Sequence, residues 1–313
     1  MFASSSTLKR GAALGLAMTA SLALAACGSS SPSKSNNPLG GGSASGSVVI
    51  GSANFPENEL LAEIYSLALT AKGVKVTDKF NIGSREIYYP EIKKGAVTII
   101  PEYNGALLTT SVDPSSTATS TQAVDAALSS KLPSTLEILS PSTAQDKDSV
   151  TVTQAFAKAH NLTSISQLGP LAKTMVMGGP PEFPTRKDGL IGLKQVYGLT
   201  FKKFQALDES GPITLAALTD GKVQAADVFT TTPQIITDKL VSLSDPKNDF
   251  AAQNVLPLVY KPAATSTIIS TLNAISAKLT TAGLLAMDKA IIVDHANYST
   301  VAQAWLKAEG LPN

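Results

Sequence analysis

Between residues 48 and 100 the chain switches repeatedly between strand-like and helix-like patterning, and that alternation limits the folds open to it more than any other feature. Val48-Val49-Ile50-Gly51 has the length and apolar character of a buried strand. Asn54 and Glu57 follow at the spacing of a helix capping box. Leu60, Leu61, Ile64, Leu67, Ala68 and Ala71 then recur at helical spacing, with Gly73 placed to close the helix. Val74-Lys75-Val76 begins a second strand, Ser84 to Lys94 a second helix closed by Gly95, and Val97 to Ile100 a third strand. This β-α-β-α-β order predicts a mostly parallel sheet with helices on both faces. In such sheets ligands sit beyond the carboxyl ends of the strands. Three clusters follow strands and are candidates on that ground: Ser52 to Asn58, Pro101 to Gly105, and Val228 to Pro233.

The alternation returns in the middle of the chain. Val150 to Val152, Thr174 to Met177 and Phe201 to Phe204 are candidate strands, and Gly189 to Tyr197 is a candidate helix, so two α/β lobes are expected. From Val255 to Asn313 the apolar residues Leu272, Ile275, Leu279, Leu284, Leu285 and Ile291 have helical spacing, and a last helix runs through Val301 and Trp305. This stretch is expected to cover one lobe with helices.

The N-terminus has a different chemistry. Lys9 and Arg10 precede an apolar run from Gly11 to Ala26, which ends in Leu24-Ala25-Ala26-Cys27. A basic start, a short apolar stretch and small residues before a cysteine are the marks of a lipoprotein signal peptide, with Cys27 as the lipidated residue. The run is about 16 residues, short of the roughly 20 that span a bilayer. Residues 28–47 are largely Ser, Gly, Pro and Asn, a composition that buries little apolar surface and suits a flexible tether. Cys27 is the only cysteine, so the body after it relies on packing and not on disulfides. At 43% hydrophobic the chain can build a proper core, and a net charge of +1 gives no electrostatic reason to expect nucleic acid. His160 and His295 stand apart from the Cys, Asp or Glu spacing of a metal site, so neither metal nor cofactor is expected.

Several strings occur together and in order: Gly51 to Glu57, Gly83-Ser84-Arg85-Glu86, Pro101-Glu102-Tyr103-Asn104-Gly105, Ala144 to Asp148, Pro180 to Leu190, Phe229 to Pro233, and Trp305-Leu306. Taken as a set, over essentially the whole body after Cys27, they resemble the substrate-binding lipoproteins of osmoprotectant ABC importers, the glycine betaine, carnitine and choline group. The resemblance implies a type II periplasmic-binding-protein fold, with two α/β lobes, a hinge and a ligand cleft between them. It places lobe one at residues 48–146 and 250–313 and lobe two at 147–249. It also implies a small-molecule ligand, an ABC permease with its ATPase as partners, and a position outside the cell membrane, held there by the lipid anchor.

The same resemblance carries site residues. A quaternary ammonium ion donates no hydrogen bonds and is held against aromatic faces. By resemblance the rings fall at Tyr103 and Phe229, while two further cage positions fall at Asp148 and Gln253 and so lack rings. Arg186 takes the place of the arginine that grips a ligand carboxylate, a task suited to its planar fork. Expected helpers are replaced by Ala53 and Ala106. Asp146, beside the crossover, and Asn54, in the first strand-end cluster, complete the candidates.

Each residue also has a plainer reading. Tyr103 and Phe229 could be core, Arg186 could pair with Asp188 or Glu182 on the surface, and Asp146 and Asp148 could be solvated hinge charges. Tyr88 and Tyr89 are helix neighbours, so at most one can face a given site. A different polar or aromatic ligand, or a sensing or adhesive role, would also fit an incomplete cage. An exported enzyme would need more than Asp146 and Asp148, because the chain has no Gly-x-Ser-x-Gly elbow and no phosphate-cradling loop.

Overall fold

In a computed structural model the described residues are 47–313. The signal segment, Cys27 and all but the last residue of the expected tether lie outside them. Ser47, the last residue assigned to the tether, is instead the first of a strand.

In chain order the described strands are β1 (Ser47–Gly51), β2 (Lys75–Lys79), β3 (Ile99–Tyr103), β4 (Leu136–Ile138), β5 (Val150–Thr153), β6 (Val176–Gly179), β7 (Lys203–Ala206), β8 (Ala225–Asp227), β9 (Leu240–Ser242) and β10 (Val255–Tyr260). They form two five-stranded sheets, ordered β2-β1-β3-β10-β4 and β7-β6-β8-β5-β9. The chain passes from the first sheet to the second between β4 and β5 and returns between β9 and β10. The two crossing segments touch at a bridge between Gln145 and Asn254.

Both sheets are mixed, which corrects the expectation of mostly parallel pairing. β1 runs parallel to β2 and β3, but β10 is antiparallel to β3 and β4. In the second sheet β5 is antiparallel to β8 and β9. The cause is the chain path: β5 and β10 are laid down as the chain enters a lobe from the other one, not after a local helical crossover. β10 also corrects the reading of residues 255 onward as wholly helical. Its sequence VLPLVY is apolar at every position because both faces are covered, so it shows none of the period-two alternation that marks a half-buried strand.

α1 (Pro56–Ala71) packs Leu60, Leu61, Ile64 and Ala68 into the first lobe with no exposed surface. The expected capping box is absent. Pro56 occupies the first turn, where its fixed φ suits the helix, and this makes Phe55 the residue at the cap. Asn58 instead accepts from Ala53 N at 2.7 Å and donates to the Pro101 carbonyl at 3.0 Å, which ties the start of α1 to β3. Glu57 is freed for another task.

α2 (Arg85–Lys93) begins after Ser84 and ends before Gly95, whose φ of +76° needs glycine and whose Cβ would strike the Tyr260 ring at 2.6 Å. The expected Gly189–Tyr197 helix is regular only from Gly192 onward. Its first part is bent, with non-helical backbone at Asp188 and Gly189, and the close approach of the Phe183 carbonyl, 2.1 Å from where a Cβ would lie, leaves room only for glycine at 189. The second lobe centres on the buried Val152, Met177, Phe183 and Leu193, with Phe183 stacked on Phe204 at 6.2 Å.

Candidate functional site

Strand ends and crossovers converge between the two sheets. Tyr103 closes β3, Phe55 lies in the turn between β1 and α1, and Phe229 follows β8. Phe55 lies 5.9 Å from the Tyr103 ring and 5.2 Å from the Phe229 ring, the second contact edge-on, so three rings form one continuous wall. Phe229 is fixed through its backbone, N donating to Ser210 Oγ at 2.9 Å.

Around this wall is a small cavity. It is lined from the first lobe by Phe55, Arg85, Tyr103 and Ala106, from the crossovers by Asp146, Asp148 and Gln253, and from the second lobe by Arg186, Asp188, Glu209 and Phe229. The space open to water centres is about 30 Å³, room for roughly two waters.

The structure therefore brings together Tyr103, Asp146, Asp148, Arg186, Phe229 and Gln253 from the sequence expectations. Asn54 is not among the lining residues: it is exposed and borders a neighbouring cavity with Pro56, Pro181 and Glu182. Phe55, Arg85, Asp188 and Glu209 were not anticipated. Phe55 lies inside the first strand-end cluster, Arg85 and Asp188 lie inside two of the quoted strings, and Glu209 follows β7, so strand-end placement could have flagged it. Tyr88 and Tyr89 are both buried and neither lines the cavity.

The hydrogen bonds join the lobes. Tyr103 Oη donates to Glu57 Oε1 at 2.6 Å, and Thr231 Oγ1, from the second lobe, donates to Glu57 Oε2 at 2.7 Å. Asp146 Oδ1 accepts from Thr231 N at 3.1 Å and Thr230 Oγ1 at 3.3 Å. Gln253 Oε1 accepts from Ala106 N at 2.8 Å, while its amide nitrogen reaches Asp148 Oδ2 at 3.4 Å.

Both arginines are already engaged. Arg85 makes a buried fork to Glu102, with Nε to Oε1 and Nη2 to Oε2 both at 3.0 Å, and Tyr88 Oη donates to the same carboxylate at 2.9 Å. Arg186 makes a second fork across the lobes to Glu86 at 3.0 and 2.9 Å, and its Nη1 lies 3.7 Å from Glu209. The pairing expected with Asp188 or Glu182 is replaced by these two partners.

Four carboxyls, Asp146, Asp148, Asp188 and Glu209, line the cavity against the two arginines. Burial raises all four, and it is the largest cause for each. Asp146 is held well above the usual carboxylate range, with the nearby Glu57 charge as the second cause. Asp148 is pushed up to about 8, with Asp188 adding to burial and Arg186 opposing it. Chemically, the cavity offers ring faces and latent negative charge while its fixed positive charges are paired. Among the described residues no group of three or more His, Cys, Asp or Glu is arranged to hold a metal.

Comparison with known proteins bears on the family and the fold. Over residues 46–308 the sequence matches the OpuAC family, described as the substrate binding domain of the ABC-type glycine betaine transport system. A solved glycine betaine/carnitine/choline ABC transporter structure is similar at TM-score 0.65 and 20% identity, covering 84% of this chain and 98% of its own. The unliganded YehZ from Escherichia coli is similar at TM-score 0.58 and 24% identity, covering 84% and 98%. A choline-binding protein of an ABC transporter, solved with choline, is similar at TM-score 0.61 and 15% identity, covering 84% and 89%. These structures share the two-lobed type II periplasmic-binding-protein fold. With its family match spanning most of the sequence, the chain belongs to the OpuAC family of substrate-binding domains of ABC-type glycine betaine transport systems.

Proposed function

We propose that this protein is the extracytoplasmic, lipid-anchored binding component of an ABC importer, and that it captures a small organic cation of the choline class in the cavity between its lobes. Lobe one comprises residues 48–146 and 250–313 and lobe two residues 147–249; the crossing segments act as the hinge. Cys27 carries the lipid, and the ligand-loaded form docks on a permease driven by its ATPase.

The observation that carries the reading is the charge arrangement at the three-ring wall. A quaternary ammonium gains from the faces of Phe55, Tyr103 and Phe229 and from ionised Asp146 and Asp148. A zwitterion such as glycine betaine also needs a free cation for its carboxylate, and Arg85 and Arg186 are each held in a fork to a glutamate. The cage is thus less depleted than the sequence suggested, because Phe55 supplies a third ring. A cavity this tight requires the lobes to part for entry, which fits hinged closure on the ligand.

The test is calorimetric titration of choline, glycine betaine and carnitine. Choline is expected to bind at least tenfold more tightly than glycine betaine, and Tyr103→Ala to abolish measurable choline binding. Preference for glycine betaine, or equal choline affinity in Tyr103→Ala and the parent, overturns the cation reading.

A further inference from the structure

A second cavity, about 210 Å³, lies beside the first and shares Phe55, Phe229 and Glu209 with it. Its walls are largely apolar, built from Pro56, Ile291 and Ile292 of the first lobe and Pro212 and Leu215 of the second. At one side stands Asp288, the last residue of the Thr281–Asp288 helix, which is only 1% exposed. Apart from a proton shared with the neighbouring Glu57 carboxyl, neither of its carboxylate oxygens has a donor, and Gln234 Oε1, contributed by the second lobe, is buried without one. Glu57 lies hydrogen-bonded against Asp288, and its own oxygens accept from the Tyr103 and Thr231 hydroxyls. Burial pushes the Asp288 carboxyl up to about 8 and Glu57 well above its usual value, so the pair retains a proton that an incoming cation would displace.

A buried acceptor without a donor is costly and is kept where something else supplies the donor. Here two acceptors from different lobes, Gln234 Oε1 with no donor and Asp288 with only the proton it shares with Glu57, face one cavity with apolar walls. We propose that this cavity is a second binding site, for a primary or secondary ammonium on an apolar body, with its N–H groups donated to Asp288 and Gln234 and its hydrocarbon against Leu215, Ile291 and Ile292. The ligand differs in kind from that of the three-ring cavity, since a quaternary ammonium has no N–H to give.

The probes are n-hexylamine and its hexyltrimethylammonium counterpart, titrated calorimetrically into the full-length chain. Hexylamine is expected to bind at least tenfold more tightly than the trimethylated form. Asp288→Asn, which keeps the shape but removes the charge, is expected to weaken hexylamine at least tenfold, and Leu215→Trp, which fills the cavity, to do the same. Equal hexylamine affinity in Asp288→Asn and the parent overturns the proposal, as does no binding to the parent at millimolar amine. Loss of hexylamine binding in Asp148→Asn but not in Asp288→Asn places the amine in the first cavity and also overturns it. Failure of choline to bind, with the Asp288 dependence of hexylamine intact, refutes the central-cavity reading and leaves this one standing.

Discussion

Arg186 of the second lobe holds Glu86 of the first through two charge-assisted bonds of 3.0 and 2.9 Å. The arginine is 8% exposed and the glutamate 40%, so the pair sits at the rim and closes over the cavity that Arg186 lines. Although partial burial opposes it, Arg186 holds the Glu86 carboxyl down at about 2. A lowered acid contributes stability above its unfolded value and loses it as pH falls toward the folded one, so this latch's contribution should fade as pH drops below about 4.5 and be gone near pH 2. Glu86→Ala removes it at neutral pH. An exposed pair contributes at most about 1 kcal/mol, so ligand release should quicken by about 2- to 5-fold with little change in the association rate. Stopped-flow dissociation of choline checks this, and an unchanged release rate counts against the latch.

Choline affinity should rise with pH. Asp146 and Asp148 are held above the usual carboxylate range, Asp148 at about 8, so both carry protons at mildly acid pH. A cation beside them favours the ionised forms, and binding must then release protons. Affinity should increase from pH 6 to pH 9, and the binding enthalpy at pH 7 should change with the ionisation enthalpy of the buffer. Without ligand the same groups act in the opposite sense. Their folded values exceed their unfolded ones, so their stabilising proton uptake is lost as pH rises toward 8, and the ligand-free Tm should fall over that range. Calorimetry in two buffers and a pH series of thermal melts are the measurements. A pH-independent affinity with no proton release would remove the carboxyls from the site.

The third ring is separable from mere bulk. Phe55→Leu keeps an apolar side chain at the wall but removes the quadrupole that attracts a quaternary ammonium. Choline should bind about 3- to 10-fold more weakly, in line with one partly desolvated cation–π contact. Measured by titration, the loss should exceed that for a neutral isostere such as 3,3-dimethylbutanol, which has no charge for the ring to attract. Equal losses for both would make Phe55 a packing residue only.

How much of this was legible depended on whether a residue's task is local. The strand ends at Tyr103 and Phe229 follow from period and chain order, the family strings contain Asp146, Asp148 and Arg186, and Gln253 was placed only by the resemblance's cage positions. Glu57 was misread because Asn54 and Glu57 have capping spacing; the adjacent proline moved the cap to Phe55 and left Glu57 to meet Tyr103 and Thr231, the second of them 174 positions away. Phe55 was passed over for Asn54 in the same cluster, since nothing in a one-dimensional pattern tells which residue of a turn points inward. β10 was missed because a strand covered on both faces loses its alternation. The partners of Arg186 were beyond reach for a different reason. Glu86 is 100 positions away and in the other lobe, so the pair exists only when the lobes meet.

Gly105 supplies the last prediction. It follows Tyr103 by two residues, and a Cβ there would lie 2.3 Å from the Ala252 carbonyl oxygen and 3.1 Å from the Ala251 Cβ. Backbone is in the way, so the strain cannot be relieved by a rotamer change. The segment that would have to move contains Gln253, which holds Ala106 N at 2.8 Å, and Asn254, whose N donates to Asn104 Oδ1 at 2.8 Å. Gly105→Ala should therefore cost about 1–3 kcal/mol as an overpacked substitution, lowering Tm by roughly 2–10 °C in a body of this size. Because Gln253 would shift with Ala252, choline affinity should drop as well, even though residue 105 does not line the cavity. A thermal melt and a choline titration on the same variant decide the matter. Full Tm with intact affinity would mean that the return crossover yields easily, and the coupling of Gly105 packing to the placement of Gln253 would have to be abandoned.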